Sequence, residues 1–281
     1  MNRTLIAILF ASLALYGCGD DESGTGGSGA TGGSGATGGS GATGGSGATG
    51  GSGATGGAGG TGGVIPGTEY AENFESLDQT SPDALGDDPH PEWGVGWIVF
   101  GNVFQPDGTF IVGYGVFPAP NNTGAFSGIA LAEGGAPQGD QVLVIISDYN
   151  NTAEQEAGNL VEGNTFRERT IVADDVGKTL TFSFDAKRGN IDDPNDPLCP
   201  CDSDANAFIK TLDPEDNFAT TNLVDTDTTA LPDDWMRYEI SLPIDAGLVG
   251  QLLQFGFSAT ATKFEPSGVF YDNILVVGAT P

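Results

Sequence analysis

The sequence contains one histidine, three cysteines, two methionines and nine lysines and arginines in 281 residues. Each shortage excludes something. His90 lies in Asp87-Asp88-Pro89-His90-Pro91, and a Ser-His-Asp triad would rest entirely on it. No Gly-x-Ser-x-Gly elbow accompanies it, and an isolated loop histidine reads as solvated. Three cysteines cannot fill a four-cysteine zinc site, and no histidine stands near a cysteine to complete one. Basic residues are scarcest of all: residues 65–281 hold 35 Asp and Glu against 8 Lys and Arg, a net charge of −27. Such a field repels nucleic acid and acidic polysaccharides, so no nucleic-acid partner is expected; neutral glycans, cationic partners and calcium remain compatible. With so many acids, a carboxylate pair at glycosidase spacing carries no information. Long apolar runs are missing too. Leu5–Tyr16 is mostly apolar, but twelve residues are too few to cross ~30 Å of hydrocarbon as a helix.

What is present begins with that run. Met1-Asn2-Arg3-Thr4 followed by Leu5–Tyr16 has the layout of a signal peptide, residues 1–17. It ends in Leu15-Tyr16-Gly17-Cys18, which resembles a bacterial lipoprotein lipobox. The resemblance implies cleavage before Cys18, lipidation of Cys18, and a lipid anchor as the membrane contact. Gly19 rather than Asp follows, which by the same resemblance points to the outer membrane or cell surface. Residues 18–64 carry five successive Gly-Gly-Ser-Gly-Ala-Thr copies from Gly26 to Thr55 and a degenerate sixth. This repeat has no large aliphatic residue to bury, so it reads as a disordered tether with a reach on the order of 37 Å.

Residues 65–281 are long enough for one β-domain with a sizeable core. Leu180, Phe182, Phe184 and Ala186 alternate with polar residues; so do Met236, Tyr238, Ile240 and Leu242, and Leu253, Phe255, Phe257 and Ala259. Val142–Ile146 reads as a strand buried on both faces, and Trp97–Phe104 and Thr109–Phe117 as two more. Helical periodicity is nearly absent, with room for a turn or two in Thr152–Val161 and Asp245–Leu253. Many strands and few helices indicate an all-β sandwich. The run Gly268–Val277 is a dense β-former stretch whose natural mate is Ala71–Glu75, first strand beside last. Phe74-Glu75, Val176–Lys187, Trp235 with Tyr238, and Tyr271-Asp272-Asn273 together resemble jelly-roll carbohydrate-binding modules of the galactose-binding-like type. That resemblance implies a non-catalytic jelly roll that binds a glycan or cell-surface polysaccharide. It also implies a structural calcium held by Glu75 and Asp272 with backbone carbonyls.

Two further candidate regions follow from the residues. Cys199 and Cys201 flank Pro200, and in an oxidising compartment they read as a local disulfide that clasps a loop. Around them stand Asp192, Asp193, Asp196, Asp202 and Asp204, without EF-hand spacing, so a solvated acidic insertion is expected. For ligand binding, Trp93 and Trp97, Tyr114 between two glycines, and Tyr149 are the candidate sugar platforms, with Asp148, Asn150 and Asn151 as directional partners. Trp93, beside two prolines and a histidine, is the ring expected to be most exposed. Core packing in glycine-rich strands stays open as the other reading of Trp97 and Tyr114. The rival functions are a structural or adhesive surface protein binding calcium and a protein partner, and a glycoside-active enzyme.

Overall fold

The computed structural model describes residues 65–281, except 83, 95, 122–123, 194, 196, 198–201, 263–264 and 281. Cys18, Cys199 and Cys201, the signal segment and the tether lie outside the described residues.

Among the described residues twelve strands follow one another: β1 (Thr68–Glu72), β2 (Ile98–Phe104), β3 (Phe110–Pro118), β4 (Ser127–Leu131), β5 (Gln141–Ile145), β6 (Leu160–Thr170), β7 (Thr179–Arg188), β8 (Asp204–Asp213), β9 (Ala219–Asp227), β10 (Met236–Pro243), β11 (Leu252–Ala261) and β12 (Val269–Ala279). One short helix, α1 (Thr152–Glu156), precedes β6. The fold is a jelly-roll β-sandwich. Its first sheet runs β10-β7-β12-β5-β4, with β1 also on β12, and its second runs β3-β2-β6-β11-β8-β9.

First and last strands do pair. Ala71 lies opposite Leu275 and Glu72 opposite Ile274. β1 stops at Glu72 because the next turn is held by its own side chain: the Asn73 and Phe74 N–H groups donate to Glu72 Oε1 at 2.9 and 2.6 Å. Phe74 then takes φ +60° and points its ring into the core. The alternating runs sort as their period requires, with Leu180, Phe182, Phe184 and Ala186 from β7 and Leu253, Phe255, Phe257 and Ala259 from β11 buried between the sheets. Aromatic rings link the layers. Phe257 stacks on Tyr271 with centroids 3.7 Å apart, and Phe182 lies 5.0 Å from Phe255. Such pairs add to the burial term that holds the sandwich closed.

Both expected helical stretches shorten. Thr152–Val161 yields only α1 before β6 begins, and Asp245–Leu253 yields a 3-10 turn at Ala246–Leu248 before β11.

Candidate functional site

The outer face of the second sheet carries an open groove of about 520 Å³. Its layout follows from strand register. Phe100, Asn164, Ser258 and Asn206 form one cross-strand row; Phe166, Gly256 and Phe208 form the next; Glu168, Gln254, Lys210 and Leu223 form the third. The alternate residues of the same strands, such as Val99, Ile209 and Phe255, point into the core. One aromatic row therefore lies between two largely polar rows on one surface.

Gly256 makes the middle row work. A Cβ there would stand 2.2 Å from Thr165 O and 2.6 Å from Phe166 Cα. Its absence lets the rings of Phe166 and Phe208 approach to 6.5 Å between centroids as an apolar floor. Phe100 is half-buried on one side, and Phe218 and Leu223 are exposed on the other, at 44% and 53%.

The groove's carboxylates are held by amides. Glu162 accepts from Asn102 Nδ2 at 2.7 Å and from Asn164 Nδ2 at 2.6 Å, and Glu168 accepts from Gln254 Nε2 at 2.6 Å. These oriented acceptors and amides are the groups that hydroxyl-rich ligands use, and the phenyl faces supply apolar contact beside them. Lys210 sits among them with its ammonium 4.4 Å from the Phe208 ring centroid. Burial, the largest cause, holds its pKa below the usual lysine range against the pull of Glu162 and Glu168.

None of the expected ligand residues lines this groove. Trp93, expected at the surface, is 1% exposed. Its Nε1 donates to Glu69 O at 3.0 Å, its ring meets Phe255 at 4.7 Å, and the Arg169 guanidinium covers it at 4.9 Å. Trp97 is fully buried against Phe74, Phe255 and Phe257. Both are core residues: for Trp93 this corrects the expected exposure, and for Trp97 it is the core-packing reading that the sequence left open beside the sugar platform. Tyr114, Asp148 and Asn151 do come together, but on one another. Tyr114 donates its hydroxyl to Asp148 Oδ2 at 2.8 Å and accepts from Asn151 Nδ2 at 3.2 Å. The Asn150 N–H donates to the other Asp148 oxygen at 3.0 Å, and Tyr149 anchors to Glu265 O and Ser267. This network fastens the loop after β5. Glycine beside Tyr114 was the signal read as exposure; the ring instead fills the space over Gly101, where a Cβ would meet it at 2.2 Å.

The expected calcium residues lie at the β1–β12 end. Asp272 is fully buried, and neither carboxylate oxygen has a hydrogen-bond partner of good geometry. Burial, with the charges of Asp185, Glu75 and Glu72 acting the same way, pushes its carboxyl up to about 8. Burial likewise raises Glu72 to about 7. Glu75 is exposed and accepts from the Asp140 and Gln141 N–H groups through Oε1 at 2.8 and 2.7 Å. Among the described residues no three acidic, histidine or cysteine side chains converge on one point. A cation here would take carboxylate oxygens from Asp272 and Glu75 and complete its shell with backbone carbonyls, an all-oxygen set that suits calcium. An ionised carboxylate buried without a partner is costly, and a hard cation removes that cost.

No protein-family model matches the chain, and no curated protein matches it significantly. Solved structures do resemble it. The CBM22-1–GH10 modules of Clostridium thermocellum endo-1,4-β-D-xylanase 10B, complexed with xylohexaose, match at 11% identity over 76% of this chain and 29% of theirs, with a TM-score of 0.39. The C-terminal family 22 carbohydrate-binding module of that xylanase matches at 13% over 75% and 94%, with a TM-score of 0.33. A Stig cyclase from Fischerella sp. TAU matches at 16% over 75% and 96%, with a TM-score of 0.40. This chain spans under a third of the two-module xylanase structure. The functional reading rests on the groove itself.

Proposed function

We propose that the protein binds a glycan, without catalysis, in the groove on the outer face of its second sheet. The observation that carries the reading is a phenyl row, Phe166 and Phe208, set between amide-held carboxylates along one open surface. The ligand is a largely neutral chain, since a domain of net charge −27 repels a polyanion. The Cys18 lipid anchor and the Gly-rich tether would display this domain at the bacterial envelope surface. Calcium at Asp272 and Glu75 would stabilise the sandwich without touching the ligand.

Xylohexaose and a panel of neutral oligosaccharides, titrated into the full-length protein, test the reading directly. Saturable binding that weakens when Phe100 is replaced supports it. Melting curves with calcium and with EDTA separate the two parts of the proposal. A calcium shift with no glycan shift would favour the structural or adhesive rival, and release of reducing ends would expose a glycoside-active enzyme.

A further inference from the structure

Seven arginines and lysines lie among the described residues, and six of them are ion-paired. Lys210 is the seventh. Lys187 makes the contrast plain. Its ammonium also lies over aromatic rings, 5.2 Å from Phe270 and 5.5 Å from Trp235, yet it reaches Glu133 at 3.0 Å. Lys210 has the aromatic seat, 4.4 Å from Phe208 and 5.9 Å from Phe166, and no carboxylate among the described residues lies within salt-bridge distance of it.

Register explains why. Gln254 and Leu223 are its neighbours across the strands on either side. Glu168 is the next residue along that row, but it is taken by the Gln254 amide. Glu162 is taken by Asn102 and Asn164. Two carboxylates therefore lie near enough to influence Lys210, and each is turned to an amide instead. A partly desolvated ammonium facing an open groove is left for something that enters it.

The geometry points to Lys210 as the specificity-determining residue of the groove, pairing with a single carboxylate on an otherwise neutral glycan, such as a uronic acid side group. This inference rests on the glycan reading of the groove. One lysine amid Glu162, Glu168 and Asp225 reads one acidic substituent and does not hold a polyuronide, which the domain's overall field repels.

The test uses glucuronic-acid-substituted xylan and the same polymer after its carboxyl groups are reduced to alcohols, each titrated into wild type, Lys210→Met and Lys210→Arg. A charge-assisted contact of this kind predicts about tenfold tighter binding of the acidic polymer by wild type. Lys210→Met levels the two polymers, and Lys210→Arg keeps the preference. Retention of the preference by Lys210→Met would overturn the assignment. Equal binding of both polymers by wild type overturns the Lys210 role alone and leaves the glycan groove standing. Binding of neither overturns the glycan reading, and the Lys210 role falls with it. Added salt separates the cases further, since only the acidic polymer's advantage should shrink.

Discussion

The sealed end of the first sheet, where β1 pairs with β12, and the open groove on the second sheet each hold a charged group that is short of partners. In the first, Asp272 is fully buried with both oxygens free of good hydrogen bonds. In the second, Lys210 lies on a phenyl ring with its neighbouring carboxylates turned away. The difference is access. A sealed carboxylate with Glu75 and Glu72 close by suits an ion that enters once and stays. An ammonium in a groove suits a ligand that comes and goes. The same contrast separates individual aromatics, since Trp93 and Trp97 are sealed in the core while Phe100, Phe166 and Phe208 line the open groove.

The largest effect should come from the sealed side. Trp93→Ala removes a buried ring and its hydrogen bond to Glu69 O, and should cost about 3–5 kcal/mol by denaturant unfolding. Glycan affinity of the folded fraction should stay unchanged. A stable Trp93→Ala variant that loses glycan binding would break the division between the two regions.

Calcium comes next. If it binds at Asp272, saturating calcium should raise the melting temperature by roughly 5–10 °C at pH 8 relative to EDTA. Asp272→Asn should abolish that response.

The metal-free protein sharpens the point through pH. Folding raises the Asp272 carboxyl from 3.8 to about 8, so the folded state holds a proton that the unfolded chain releases. That contribution is complete below pH ~4 and is lost as pH rises through about 8, so stability in EDTA should fall from pH 5 to pH 8. Scans at the two pH values check it, and Asp272→Asn should flatten the slope. A metal-free protein more stable at pH 8 would contradict the sealed-carboxylate account.

On the groove side, Phe100→Ala should weaken glycan binding about tenfold by calorimetry while moving stability less than Trp93→Ala does.

Much of the first sheet was legible in the sequence. β7 and β10 alternate cleanly, and the closing pair β1–β12 follows from two terminal β-former runs, although β12 breaks its alternation at the irregularity between Asp272 and Leu275. The groove was not legible, because three strands of its sheet hide their period. β8 reads Asp204–Asp213 with small Ala205 and Ala207 inside and Phe208 and Leu212 outside, which inverts the usual contrast in side-chain size. β6 points Arg167 inward, where it donates to the Tyr70 hydroxyl and to Asp88, while Phe166 faces outward. β9 is rich in Thr and Asp and shows little apolar period. Tryptophan beside glycine and proline suggested a surface platform, but nothing local to Trp93 reveals that Arg169 and Phe255 will enclose it. Asp272 was legible for the opposite reason. A lone acid in a dense β-former run needs a partner wherever the strand goes.

The most direct measurement is calorimetric titration of neutral oligosaccharides, xylohexaose among them, into wild type, Phe100→Ala and Trp93→Ala at a temperature where all three are folded. Saturable binding by wild type and Trp93→Ala, weakened about tenfold in Phe100→Ala, is the predicted result. No binding by wild type, or binding lost with Trp93 and indifferent to Phe100, would contradict the assignment of the groove.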